Sequence, residues 1–229
     1  MEHKDFSERL FLSLTGHHAA DWREKMEEIN VLGLETVALF LEYFASAERP
    51  KIYAALAKSP VKNIPLIHIK GDMAKDELKY LCERYKYPYL TIHEEHFEHL
   101  EKWEGFYQNL YLELNYDNRL AKNIDVDRIG GFCVDLSHFK ANEEKWSKEF
   151  EYILKERGKK DIFRCNHLNG YSYQENQDVH TISSLKEFEY LKTLPDFIFG
   201  DVIAIEVFNS LKDQMGYREH ILNLLAGRH

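Results

Sequence analysis

The chain has 229 residues, 44% of them hydrophobic and 30% charged, with a formal net charge of −9. This length suits a domain with a sizeable core, and the acidic balance argues against broad, non-specific binding to a phosphate backbone. The apolar runs are too short to cross a bilayer, the start MEHKDFSERLFLSL lacks secretory-signal character, and three cysteines without a CxxC fit a reducing compartment, so a cytoplasmic protein with no membrane partner is expected.

In chain order, short apolar runs alternate with amphipathic stretches. LFLSL (10–14) precedes DWREKMEEINVLG, TVALFLEYF (36–44) precedes RPKIYAALAKS, and IPLIHI (64–69) precedes KDELKYLCERY. YLTIH (89–93) precedes FEHLEKWEGFY, and NLYLEL (109–114) leads into a shorter segment ending near Asp127. GFCVDL (131–136) precedes EKWSKEFEYILKER, IFRCNHL (162–168) leads through a polar loop to SLKEFEYLKTL, and VIAIEVF (202–208) precedes YREHILNLLAG. The runs have strand length, whereas Leu78, Leu81, Cys82 and Tyr85 recur at helical spacing. Gly33 and Gly158 fall where helix C-terminal caps are expected. Eight strand candidates, most followed by a helix, predict an α/β protein with one domain over 1–229, a (β/α)8 TIM barrel. An open doubly wound sheet is the alternative, but no Gly-rich phosphate loop follows the first strand.

Several runs end in metal-ligand side chains: Glu113 in NLYLELN, Asp135 and His138 in GGFCVDLSHF, His167 in IFRCNHLNG, and Glu206 in VIAIEVFN. Barrels of this kind carry their chemistry at the C-terminal strand ends. Alternate strand residues share a face, which groups Tyr111 with Glu113, Cys133 with Asp135, Cys165 with His167, and Ala204 with Glu206. Small residues suit a crowded barrel interior, so Asp135, His167 and Glu206 are expected to point inward. Val134, Ile203, Ile205 and Val207 are expected to face the helices.

On LYLELN, CVDLSH, NHLNG and AIEVFN the chain resembles the xylose isomerase-like TIM barrels. That superfamily includes sugar and sugar-phosphate isomerases and epimerases, and the endonuclease IV type of apurinic endonuclease (family 2). The resemblance implies that Glu113, Asp135, His167 and Glu206 are metal ligands and that His138 is a substrate or second-metal contact. His68 in PLIHIKGD and His93 in LTIHEEH stand where the endonuclease branch has further ligands, and Asp178 and His180 in QDVH resemble its Asp-x-His pair. ALF and HLN also look like that branch. Two departures stand out: TISSLKEF replaces the usual Gly-containing turn, and Ile-Lys-Gly-Asp follows His68 where the nucleases have an aromatic DNA-probing loop.

A mixed Asp/Glu/His set suits a divalent cofactor such as Mn2+, Zn2+ or Mg2+, one ion for an isomerase and two or three for a hydrolase. The leading expectation is a metal-dependent isomerase or epimerase of a small-molecule sugar or sugar phosphate. There Glu113 and Glu206 are the catalytic acid and base about a metal-stabilised enediolate. The alternatives are an endonuclease IV-like multinuclear phosphodiesterase, with DNA as partner only in that case, and a non-catalytic metal or carbohydrate binder. A homo-oligomer is compatible with each. Simpler roles compete residue by residue. Asp135 alone suits a helix N-cap, His17, His18, His96 and His99 suit the surface, and Glu94 and Glu95 suit solvent. Trp22, Trp103 and Trp146 suit packing, and Cys82, Cys133 and Cys165 suit the core.

Overall fold

The computed structural model describes residues 5–18, 21–86, 88–159 and 161–227. The first apolar run makes two short strands, β1 (Leu10–Phe11) and β2 (Ser13–Leu14), after a single-turn helix α1 (Phe6–Arg9). Then come α2 (Trp22–Leu32), β3 (Ala38–Phe40), α3 (Arg49–Leu56), β4 (Leu66–His68), α4 (Lys75–Tyr85), β5 (Tyr89–His93), β6 (Leu110–Glu113) and β7 (Gly131–Asp135). The rest is α5 (Leu136–Lys145), α6 (Lys148–Glu156), β8 (Phe163–Leu168), β9 (Gly170–Ser172), β10 (Gln177–Val179), β11 (Val202–Ile205) and α7 (Leu211–Ala226). Segments of 3-10 helix stand in for α-helices after β5 (Glu94–Trp103) and before β11 (Leu185–Thr193).

Nine parallel strands make one sheet in the order β1-β11-β8-β7-β6-β5-β4-β3-β2. Its two edges are consecutive pieces of one run, so the sheet curls into a nearly closed α/β barrel with helices around it. The seam lies at Leu12, where β1 leaves β11 and β2 joins β3. Gln214, wholly buried on α7, serves the backbone there: its Oε1 accepts from Ser13 N at 2.9 Å and its Nε2 donates to Ser13 O and Val207 O at 3.3 Å. Buried backbone groups need partners, and a side-chain amide supplies them where the ladder is interrupted.

The apolar residues divide by strand face into two cores. Ala38, Phe40, Leu66, Tyr111, Cys133, Cys165, Val202 and Ala204 fill the barrel interior. Val134, Ile203, Ile205 and Val207 belong to the larger core packed under the helices. Helix faces follow the same logic: Leu78, Leu81, Cys82 and Tyr85 are buried on α4, and Trp22, Met26 and Ile29 on α2. Gly33 ends α2 in the left-handed region at φ 65°, where glycine escapes the Cβ penalty. Gly158 does not cap α6, which ends one residue earlier at Arg157 in right-handed geometry.

Other local expectations need correction. Trp22 and Trp103 are packed, but Trp146 is 64% exposed because it leaves α5 in left-handed geometry, touching Phe150 edge-on. His96 is half-buried rather than a surface residue, whereas His17, His18 and His99 are exposed. Glu94 is buried, not solvated, because the backbone N–H groups of Asn115 and Ala121 donate to its carboxylate. The three cysteines are buried and free. Among the described residues, no helix is long and apolar enough to cross a membrane.

Candidate metal centre

All the strand-end residues arrive at one mouth because parallel strands finish on the same side. His68, His93, Glu113 and Asp135 are the last residues of β4, β5, β6 and β7. His167 is the penultimate residue of β8, and Glu206 directly follows β11. The ladder register sets His93 beside Glu113 and Asp135 beside His167. Glu113, Asp135, His167 and Glu206 each bring a ligand atom within 4.8 Å of the other three, and all four are buried.

His167 Nδ1 lies 3.0 Å from Glu113 Oε2 and 3.3 Å from Glu206 Oε2. Its Nε2 shares a hydrogen bond of 3.1 Å with Thr91 Oγ1, which orients the ring from the barrel interior. Glu113 Oε2 also faces His68 Nδ1 at 3.5 Å and His93 Nδ1 at 3.8 Å, while Glu113 Oε1 faces His138 Nδ1 at 3.7 Å. Asp135 is both an N-cap and a member of the cluster. Its Oδ1 accepts from His138 N and Ser137 Oγ at 2.8 Å, and its Oδ2 accepts from Asn169 Nδ2 at 2.9 Å.

The loop pair arrives by a hairpin that the strand pattern does not reveal. β10 pairs antiparallel with β9, and Asp178 on it sits 2.6 Å from His180 Nε2 and 3.9 Å from His138 Nε2. Tyr116 Oη donates to Asp178 Oδ1 at 2.5 Å, and Glu206 O accepts at 3.1 Å from His180 Nδ1. Every strand-end or loop residue singled out for the site thus stands in or beside one cluster.

Two contributors were not singled out. Glu42 contacts His93 Nε2 at 2.9 Å and His68 Nε2 at 3.2 Å, forming a second ligand-type group with both histidines. Tyr43 Oη donates to Glu206 Oε1 at 3.0 Å. The signal for Glu42 was present: in ALFLE, the alternation that groups Ala38 with Phe40 continues to Glu42.

Burial and mutual charge set the protonation of the mouth. Burial favours the neutral form of Glu113, but His167, His93 and His68 outweigh it and hold the carboxyl well below the ordinary range. Glu206 goes the other way, pushed well above its ordinary value first by burial and then by Glu42, Glu113 and Asp135. Burial lowers His68 to about 3. Against burial, Glu113 and Glu42 raise His93 to about 10. Also against burial, Asp135, Asp178 and Glu113 raise His138 to about 9, while Asp178 and Glu206 raise His180 to about 9. His167 is raised too; since burial keeps the adjacent Cys133 thiol neutral, Glu113 supplies the anion that holds it charged.

These residues fit a metal ion better than a closed hydrogen-bond network. Both nitrogens of His68 and His93 Nδ1 are buried without a hydrogen-bond partner, and His167 Nδ1 and Glu113 Oε2 face each other at 3.0 Å without hydrogen-bond geometry. Such atoms are rare in native interiors and call for a specific reason. Ligand atoms about 2.1 Å from a shared tetrahedral ion lie about 3.4 Å apart. The facing nitrogen and oxygen atoms around Glu113 Oε2 stand at 3.0–3.8 Å. The buried His, Glu and Asp groups can therefore hold a metal ion, in at least two overlapping sets.

No protein-family model matches the chain, and neither does any curated protein.

Proposed function

We propose that the protein is a divalent-metal-dependent phosphoester hydrolase with a multinuclear centre at the barrel mouth. The observation that carries this reading is the position of Glu113, whose two carboxylate oxygens face different imidazoles: His68, His93 and His167 on one side, and His138 on the other. Glu113 would help to hold metal alongside these histidines. His68 and His93, with Glu42 beside them, would hold one ion; Asp135, His167 and Glu206 a second; and His138, Asp178 and His180 a third. Zinc or manganese accepts such nitrogen and oxygen donors. Bound there, the metal would supply an activated water and neutralise the leaving oxygen.

The chain's own residues have distinct parts in this scheme. Thr91 and Asn169 orient His167 and Asp135 through their hydrogen bonds, and Tyr43 and Tyr116 hold Glu206 and Asp178. The short segment after His68 and the acidic net charge favour a small phosphoester over duplex DNA. Three free buried cysteines suit a cytosolic setting.

A sugar or sugar-phosphate isomerase or epimerase is the second reading. It is favoured by the two glutamates that flank His167 Nδ1, at 3.0 and 3.3 Å, which can divide proton removal and return between them. Metal counting with activity assays separates the two. Two or three ions per chain with hydrolysis of bis(p-nitrophenyl) phosphate support the hydrolase. One ion per chain, with solvent deuterium entering a sugar beside its carbonyl, replaces it by the isomerase. Metal binding with neither activity leaves a binding protein.

A further inference from the structure

Away from the mouth, three more carboxylates converge: Glu94 at the start of the 3-10 segment after β5, Asp117 in the loop after β6, and Glu149 in the first turn of α6. Each brings an oxygen within 4.8 Å of the others. Glu94 is 4% exposed and Glu149 wholly buried. Backbone donors account for part of their bonding. Glu94 accepts from Asn115 N at 3.2 Å and Ala121 N at 3.0 Å, Glu149 Oε1 from Arg119 N at 2.9 Å, and Asp117 Oδ1 from Arg119 N at 3.0 Å. The other oxygen of Glu149, Oε2, is buried with no hydrogen-bond partner. Among the described residues, no lysine, arginine or histidine pairs with any of the three.

Three carboxylates crowd together here, two of them inside the protein, and Glu149 Oε2 meets no donor; a cation among them would offset both. We propose that Glu94, Asp117 and Glu149 form a second cation site, for a hard divalent ion of calcium type, distinct from the barrel mouth. The donor set is all oxygen, with neither imidazole nor thiolate, which selects Ca2+ or Mg2+ chemistry over zinc. Ca2+ is the better match, because it tolerates irregular geometry and loop ligands, whereas Mg2+ demands a near-ideal octahedron.

The site clamps the segment 115–121 between β6 and α6, and that segment reaches the mouth. Leu114 O accepts from His138 Nδ1 at 3.2 Å, Asn115 O accepts from Asn142 Nδ2 at 2.9 Å, and Tyr116 bonds Asp178. A cation at Glu94, Asp117 and Glu149 therefore steadies the residues that hold His138 and Asp178 together.

The test is calorimetric titration of the chelator-stripped full chain with Ca2+ alone. Wild type is expected to take up one more Ca2+ per chain than Asp117→Asn, and Glu149→Gln to weaken that binding by roughly tenfold or more. Asp117→Asn keeps an acceptor for Arg119 N–H on an exposed loop, so it remains informative if Glu149→Gln does not fold. The double variant Glu113→Gln/Glu206→Gln, altered only at the mouth, is expected to retain the Asp117-dependent event. No Ca2+ uptake by wild type, uptake unchanged in Asp117→Asn, or loss of the event in the mouth variant overturns the proposal.

Discussion

In metal-free protein, replacing Glu206 by Gln is expected to stabilise the fold, by an amount that grows with pH. Burial, together with Glu42, Glu113 and Asp135, keeps the Glu206 carboxyl protonated well above its ordinary value of 4.5. The unfolded chain loses that proton near 4.5, so above this pH the folded state binds the extra proton and stability falls as pH rises. For a single proton the slope is about 1.4 kcal/mol per pH unit until the folded carboxyl itself ionises. Each such step is a substantial part of a typical domain's stability. Gln is a neutral isostere of the protonated acid and keeps an acceptor for Tyr43 Oη. Urea unfolding in EDTA at pH 5, 6, 7 and 8 reads the difference, provided the slope m is unchanged. With saturating Zn2+ or Mn2+ the order reverses, because Gln is a poor ligand and the ion set that includes Glu206 stabilises the wild-type fold more than the variant. A metal-free Gln variant less stable than wild type at every pH, or a difference flat across the range, would refute the electrostatic account of the mouth.

Three further outcomes follow from the same geometry. Asp178→Asn with His180→Asn is expected to lower the bound-metal count by one while leaving the ions at Glu113 and His167, as elemental analysis would read; an unchanged count would detach the β9–β10 hairpin from the centre. Lys25, 4% exposed with Nζ on Val207 O at 3.0 Å, is held at about 8, chiefly by burial. Below that pH both folded and unfolded chains carry its charge. Wild type should therefore gain stability between about pH 8 and 10.5 relative to Lys25→Met, by at most about 3 kcal/mol in paired denaturation curves. Gly131 has φ 133°, and a Cβ there would stand 2.2 Å from Ile162 O, so Gly131→Ala is expected to cost about 3 kcal/mol or more by thermal or urea denaturation.

Much of the barrel was legible because strand periodicity is a local property. The small residues Cys133, Cys165 and Ala204, each two positions before a ligand-type side chain, do line the interior. Their outward neighbours Val134, Ile203 and Ile205 join the helix-facing core. The adjacent acids Glu94 and Glu95 suggest a solvated pair, yet only Glu95 is exposed, and a returning loop that sends two N–H groups to Glu94 explains its burial. Asp135 shows that an N-cap and a cluster member need not be rival assignments.

The sequence by itself determined which residues alternate along each strand and which side chains stand at the strand ends, because a two-residue repeat and a helical repeat are written in consecutive positions. Tertiary structure alone decided the distances: that His167 meets both Glu113 and Glu206, that Asp178 comes back by a hairpin between His138 and His180, and that Glu42 completes the pair His68 and His93. Apart from Asp178–His180, those contacts join residues about two dozen or more positions apart, and only the tertiary fold brings them within a few ångströms.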